Sequence, residues 1–141
     1  MQKVVIDTNI IIAAFITPNG LPARVIDLVV SDEKMAICYN EGILAEYEEV
    51  LLREKFKKYN FDPDKIKSFM YNVKQIGIFV DPPKSDIFMP HESDRNFYDT
   101  ANESGAILIT GNAKHYPRKK SFIMSPVEFL QHIYTIILLM E

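Results

Sequence analysis

Five short apolar runs, Lys3–Asp7, Met35–Tyr39, Ile76–Val80, Ala106–Thr110 and Ser121–Met124, are separated by longer segments of helical periodicity. The runs are rich in β-branched residues and predict strands buried on both faces. The intervening patterns predict helices over Leu21–Val30, Glu41–Lys57, Pro63–Gln75, Ser93–Ser104 and Pro126–Leu139. Pro22, Pro63 and Pro126 stand where the first turn of a helix tolerates proline, and Gly77 and Gly105 stand where helices end. Strands joined by helices must run parallel, through right-handed crossovers, so the pattern predicts a doubly wound α/β domain covering residues 1–141. Asp81–Pro90, "DPPKSDIFMP", is a proline-rich loop within that domain rather than a linker.

In such sheets ligands bind beyond the carboxyl ends of the strands, where the strand order reverses. The first run reaches that edge as "VVIDTNIIIAAF". Asp7, Thr8 and Asn9 interrupt an otherwise oily stretch, and buried polar groups need partners. These residue types are also preferred helix caps, and on this motif alone a cap and a ligand site stand level.

Two further carboxylates belong to the same edge. In "EGILAEYEEVLLREKF" the apolar face is Ile43, Tyr47, Val50 and Leu51, and Glu46 flanks it about 40° from Val50. Glu46 taken alone reads rather as an ordinary surface glutamate in a charge-rich helix. In "SDRNFYDTANESG" the apolar face is Phe97, Tyr98 and Ala101. Asp94 projects onto its centre, whereas Asp99 points well off it; Ser93 or Asp94 could also be the helix cap. The fourth run ends in Thr110-Gly111-Asn112, again small polar groups at a strand's carboxyl end. Gathered at one rim, Asp7, Glu46 and Asp94 would repel and raise one another's pKa values. Hard oxygen ligands of this kind suit Mg2+ or Mn2+, which activates water and clamps phosphate. Zinc has no pattern to bind, with one cysteine and scattered histidines.

The quoted segments, with "AILITGNAKHYP" and "IMSPVEFL", resemble the PIN-domain family, metal-dependent ribonucleases frequent among prokaryotic toxins of toxin–antitoxin pairs. The resemblance runs nearly end to end. It implies a three-layer α/β/α fold with a mainly parallel five-stranded sheet of order 3-2-1-4-5, and hydrolysis of RNA phosphodiesters. It assigns Asp7, Glu46 and Asp94 as catalytic metal ligands, with Asn112 assisting and Thr8, Asn9 and Thr110 supporting them. Many family members carry an aspartate where Asn112 stands, or three positions on, where this chain has His115. The missing acid supports an alternative, a PIN-like module that binds RNA or protein without cutting. An aspartyl phosphotransferase is disfavoured, since its second aspartate would fall at Asn9. A metal-free ribonuclease would have to use His91 and His115.

Charge sets the remaining expectations. The formal net charge of −3 gives no global attraction for nucleic acid. Arg53–Lys58, "REKFKK", and Lys114–Lys120, "KHYPRKK", each read alone as a solvated helix end or loop. Beside an acidic rim, Lys114, Arg118, Lys119 and Lys120 become the expected phosphate contacts. Cys38, the single cysteine, is expected to be a buried strand residue in a reducing cytoplasm. The apolar tail "IYTIILLM" is too short to span a bilayer and predicts a protein contact, a second copy of the chain or an antitoxin.

Overall fold

The computed structural model describes residues 1–117 and 121–140. Its strands are β1 (Gln2–Ile6), β2 (Met35–Tyr39), β3 (Ile78–Phe79), β4 (Ile107–Ile109) and β5 (Ile123–Met124). They form one sheet of order β3-β2-β1-β4-β5, and every pairing is parallel. The helices are α1 (Thr8–Ile16), α2 (Leu21–Ser31), α3 (Glu41–Leu51), α4 (Pro63–Ile76), α5 (Arg95–Ser104) and α6 (Pro126–Met140). They flank the sheet as outer layers: α4 and α5 pack against the strands, as does α2, which also meets α6. This is the three-layer α/β/α arrangement with strand order 3-2-1-4-5.

The strand order reverses between the parallel neighbours β1 and β4, whose register pairs Val4 with Ile107 and Ile6 with Ile109. Val4, Val5, Ile6, Leu108 and Ile109 are wholly buried, which explains their unbroken hydrophobic run. Cys38 is likewise buried in β2. Helix α1 is apolar on nearly all sides because it is enclosed, with Ile10, Ile11 and Ile12 all in the core.

Most element ends shift by a residue or two from the sequence reading, and three of the differences are informative. The helix expected over Glu41–Lys57 stops at Leu51; Arg53 is extended, and Glu54–Tyr59 forms a 3₁₀ helix. No glycine or proline marks the break. Phe56 and Phe61 pack on the core there, with Phe61 edge-on to Phe15 at 5.7 Å, so tertiary packing overrides the helix propensity of "REKFKK". Ile76 belongs to α4 rather than to β3, and Gly77 closes that helix through its amide to the Val73 carbonyl. A Cβ on Gly77 would lie 2.4 Å from the Val73 oxygen and 2.9 Å from the Ile37 oxygen, so close backbone approach requires glycine here. Gly105, by contrast, ends α5 in the left-handed region, with φ 71°. The third difference is at Asp94, which lies in a 3₁₀ turn, Glu92–Asp94, ahead of α5.

Among the described residues no single helix is long and apolar enough to cross a membrane. Helix α6 buries Phe129 and Ile133, while Leu139 and Met140 are 82% and 74% exposed.

Candidate active site

Asp7 leaves β1 at its carboxyl end, and its amide donates to the Ile109 carbonyl of β4 at 2.9 Å. The side chain is buried. Its Oδ1 accepts from the Thr8 amide at 2.7 Å, capping α1. Its Oδ2 accepts from the Thr110 hydroxyl at 2.8 Å, the Tyr116 hydroxyl at 2.8 Å and the Asn9 amide at 3.3 Å. A carboxylate oxygen has about two acceptor sites, so Oδ2 is saturated while Oδ1 keeps capacity for another partner. The cap and the site are thus one residue doing both tasks.

The supporting residues form a closed set. Asn9 also donates to the Thr110 hydroxyl at 3.3 Å and accepts from the Gly111 amide at 2.9 Å. The Asn112 amide donates to that same hydroxyl at 3.0 Å. The polar ends of β1 and β4 are therefore laced together across the reversal. The Tyr47 hydroxyl, buried in α3, donates to the Ile6 carbonyl and ties that helix to the end of β1. At the start of α3, buried Asn40 accepts from the Ile43 amide and donates to Val80, Asn96 and Thr100. This fixes α3 against α5, and hence Glu46 relative to Asp94.

Asp7, Glu46 and Asp94 line one open cleft of about 460 Å³, together with Thr8, Asn9 and Asn112. Glu46 is half-buried and accepts a hydrogen bond from the Thr8 hydroxyl. Burial pushes its carboxyl up, the Thr8 hydroxyl pulls it partly back, and the charges of Asp7 and Asp94 push it up further. Burial likewise raises Asp94, with Asp7 adding to the rise, while His115 and His91 oppose it. Asp94 makes no capping hydrogen bond. Its Oδ2 instead lies 3.6 Å from His115 Nδ1, and the His115 and His91 rings sit 4.3 Å apart between centroids. Burial and Asp7 hold the Tyr116 phenol far above its ordinary range, so it remains a donor.

Other expectations fare differently. Asp99 is buried rather than solvated, and it accepts from the Ser85 amide at 3.0 Å, pinning the proline-rich loop away from the cleft. "REKFKK" is solvated as expected, apart from half-buried Phe56, but Arg53, Lys55 and Phe56 also line the cleft. Lys114 is exposed on the 3₁₀ turn Ala113–His115, next to the cleft residue His115. Arg118, Lys119 and Lys120 lie outside the described residues. Sequence reasoning missed Tyr116, Tyr47 and Asn40. Their one signal was chemical: a polar tip in a buried stretch needs a partner, but nothing in the spacing names which.

The model of the PIN domain matches residues 3–114. The chain belongs to the PIN-domain family. It is 34% identical over 110 residues to an uncharacterized protein of Methanocaldococcus jannaschii, covering 78% of this chain and 70% of that protein. A PIN domain is a nuclease-type fold, associated with nucleic acid and typically with divalent metals. The donor chemistry of this PIN domain fits such an ion. Three carboxylates share one cleft, two of them destabilised as anions by burial and by the charge of Asp7, and Asp7 Oδ1 has spare acceptor capacity. Among the described residues no three Asp, Glu, His or Cys side chains form a ready-made cage. Mg2+ commonly binds through one or two carboxylates and keeps several waters.

Proposed function

We propose that this PIN domain is a Mg2+- or Mn2+-dependent endoribonuclease. One observation carries the reading: carboxylates from three distant segments line a single cleft whose wall also bears Arg53 and Lys55. Asp7, Glu46 and Asp94 would hold the ion. A bound divalent cation supplies Lewis-acid charge that lowers the pKa of water and neutralises phosphate oxygens. The chain's own residues supply the rest. Thr110, Tyr116 and Asn9 fix the Asp7 carboxylate, so little reorganisation is left for binding. Thr8 orients Glu46. Asn112, exposed at the cleft, offers an amide to a ligand or its water without adding charge. Arg53 and Lys55, with Lys114 nearby, offset the acidic rim and attract the RNA backbone.

The toxin role and an antitoxin partner belong to the same proposal and rest on the family resemblance. Growth arrest on induction, relieved by co-expressing the neighbouring reading frame, is their test. The exposed apolar end of α6 supports pairing of two copies. A second reading, a PIN-like module that binds without cutting, has Asn112 in its favour. Incubating a mixed RNA pool with Mn2+ and either the parent or Asp7→Asn separates the two. Cleavage by the parent alone supports the enzyme, and no cleavage by either supports the module.

A further inference from the structure

The segment between α3 and α4 carries more chemistry than a connection requires. Arg53–Phe61, "REKFKKYNF", interleaves four cations with three aromatic rings and a single carboxylate. Phe56 lines the carboxylate cleft. Tyr59 and Phe61 line a second cavity of about 380 Å³, bounded also by Phe15 and Phe69. The two cavities adjoin along α1: Ile12, Ala13 and Ile16 face the cleft, while Ala14 and Phe15 face the second cavity. The aromatic rings bridge them. Phe56 and Phe61 lie 6.4 Å apart, and Tyr59 and Phe61 are nearly parallel, at 5.9 Å and 10°.

We propose that this ridge is a base-stacking subsite for single-stranded RNA, seating a nucleotide that flanks the phosphate held in the carboxylate cleft. The proposal rests on the ribonuclease reading. Single-stranded nucleic acid is recognised by rings on which bases stack, beside cations that track the backbone. Here both occur in nine residues. Tyr59 is 42% exposed, unlike the wholly buried Tyr47 and Phe97 of the core. Lys58 Nζ lies 5.2 Å from the Tyr59 centroid, and Lys55 Nζ 5.1 Å from that of Phe56. A base taking the ring face under Lys58 would release that ammonium to a neighbouring phosphate. Asn60 and Lys65 at the second cavity offer hydrogen-bonding atoms to a base edge. Arg53 and Lys57 are paired with Glu49 and Glu54, but a purely apolar protein segment would add no counter-charge for Lys55 and Lys58, whereas a phosphodiester chain satisfies rings and cations together.

The test is anisotropy of two labelled eight-nucleotide probes in EDTA, oligoadenylate and an abasic ribose-phosphate chain of equal length. The parent is expected to prefer oligoadenylate by about tenfold. Tyr59→Ala loses that preference and leaves the abasic probe unaffected. Tyr59→Leu, which keeps apolar bulk without a stacking face, behaves as the alanine variant, and Tyr59→Phe behaves as the parent. If Tyr59→Ala and Tyr59→Leu bind oligoadenylate like the parent, or if the parent ignores the bases, the subsite is overturned and the ridge is left to a protein partner. A parent that stacks bases but never cuts RNA with Mn2+ overturns the nuclease reading alone.

Discussion

Replacing Tyr116 with phenylalanine removes one oxygen from the most tightly held point of the site. The phenol is 2% exposed and donates to Asp7 Oδ2 at 2.8 Å. Hydrogen bonds to charged groups are worth about 1.5–3 kcal/mol, and loss of a donor leaves a buried acceptor short. Asp7 keeps three other donors, from Thr8, Asn9 and Thr110, so the penalty belongs at the lower end, about 1.5 kcal/mol. For a chain of this length that is a fall in Tm of about 5 °C. Thr110→Val should be worse. Its hydroxyl donates to Asp7 and accepts from both Asn9 and the Asn112 amide, so three groups lose a partner. A cost of about 2–3 kcal/mol follows. Thermal melts of both variants in EDTA, followed by circular dichroism, give the ranking. A Tyr116→Phe shift below about 1 °C, or Thr110→Val milder than Tyr116→Phe, would refute the claim that these hydroxyls hold the carboxylate.

Asp94→Asn relieves repulsion in the metal-free chain and loses only a long contact to His115, so its metal-free Tm should hold or rise slightly. Saturating Mn2+ at about 100 times Kd should stabilise the parent by about 2.7 kcal/mol and leave this variant unmoved; equal stabilisation of both would show that Asp94 is no ligand. Glu46 and Asp94 titrate higher folded than unfolded, so their contribution is fully present below the ordinary carboxylate range and is lost as pH rises through their raised values. Urea midpoints in EDTA across that window should fall with rising pH in the parent and flatten in Glu46→Gln, and parallel curves would contradict the assignment. A chain ending at Thr135 removes the exposed Ile137–Met140 surface. Sedimentation should show a dimer for the full chain and a monomer for the truncated one, and monomers for both would end the self-pairing idea.

Residue pattern carried the sheet and its rim because periodicity reports burial directly. Val4–Ile6 and Ile107–Ile109 are buried on both faces and read as unbroken apolar runs. Glu46 was legible through its angle to an apolar face that is indeed buried, at Ile43, Tyr47 and Leu51. The same argument does not carry Asp94, which lies in a 3₁₀ turn ahead of α5, while Asp99, read as pointing off the face, is buried. The break after Leu51 was not legible. It depends on Phe61 meeting Phe15, a contact between segments far apart in sequence, in a stretch of good helix formers. The donor from Tyr116 to Asp7 spans 109 positions, and no local pattern encodes it. The same holds for Asn40, which caps α3 and whose bonds to Asn96 and Thr100 join segments far apart in sequence.

The chemistry of the cut ends separates metal-assisted hydrolysis from catalysis by histidine. Hydrolysis by water, the chemistry a divalent cation held by Asp7, Glu46 and Asp94 would support, would leave linear phosphate monoesters, whereas base catalysis by His91 and His115 would use the ribose 2′-hydroxyl and leave 2′,3′-cyclic phosphate. A short defined RNA, digested with the parent chain in Mn2+ and analysed by mass spectrometry, distinguishes them. Linear ends only are expected, with none in EDTA and none from Asp7→Asn. Cyclic phosphate ends that persist in EDTA and in Asp7→Asn would contradict it.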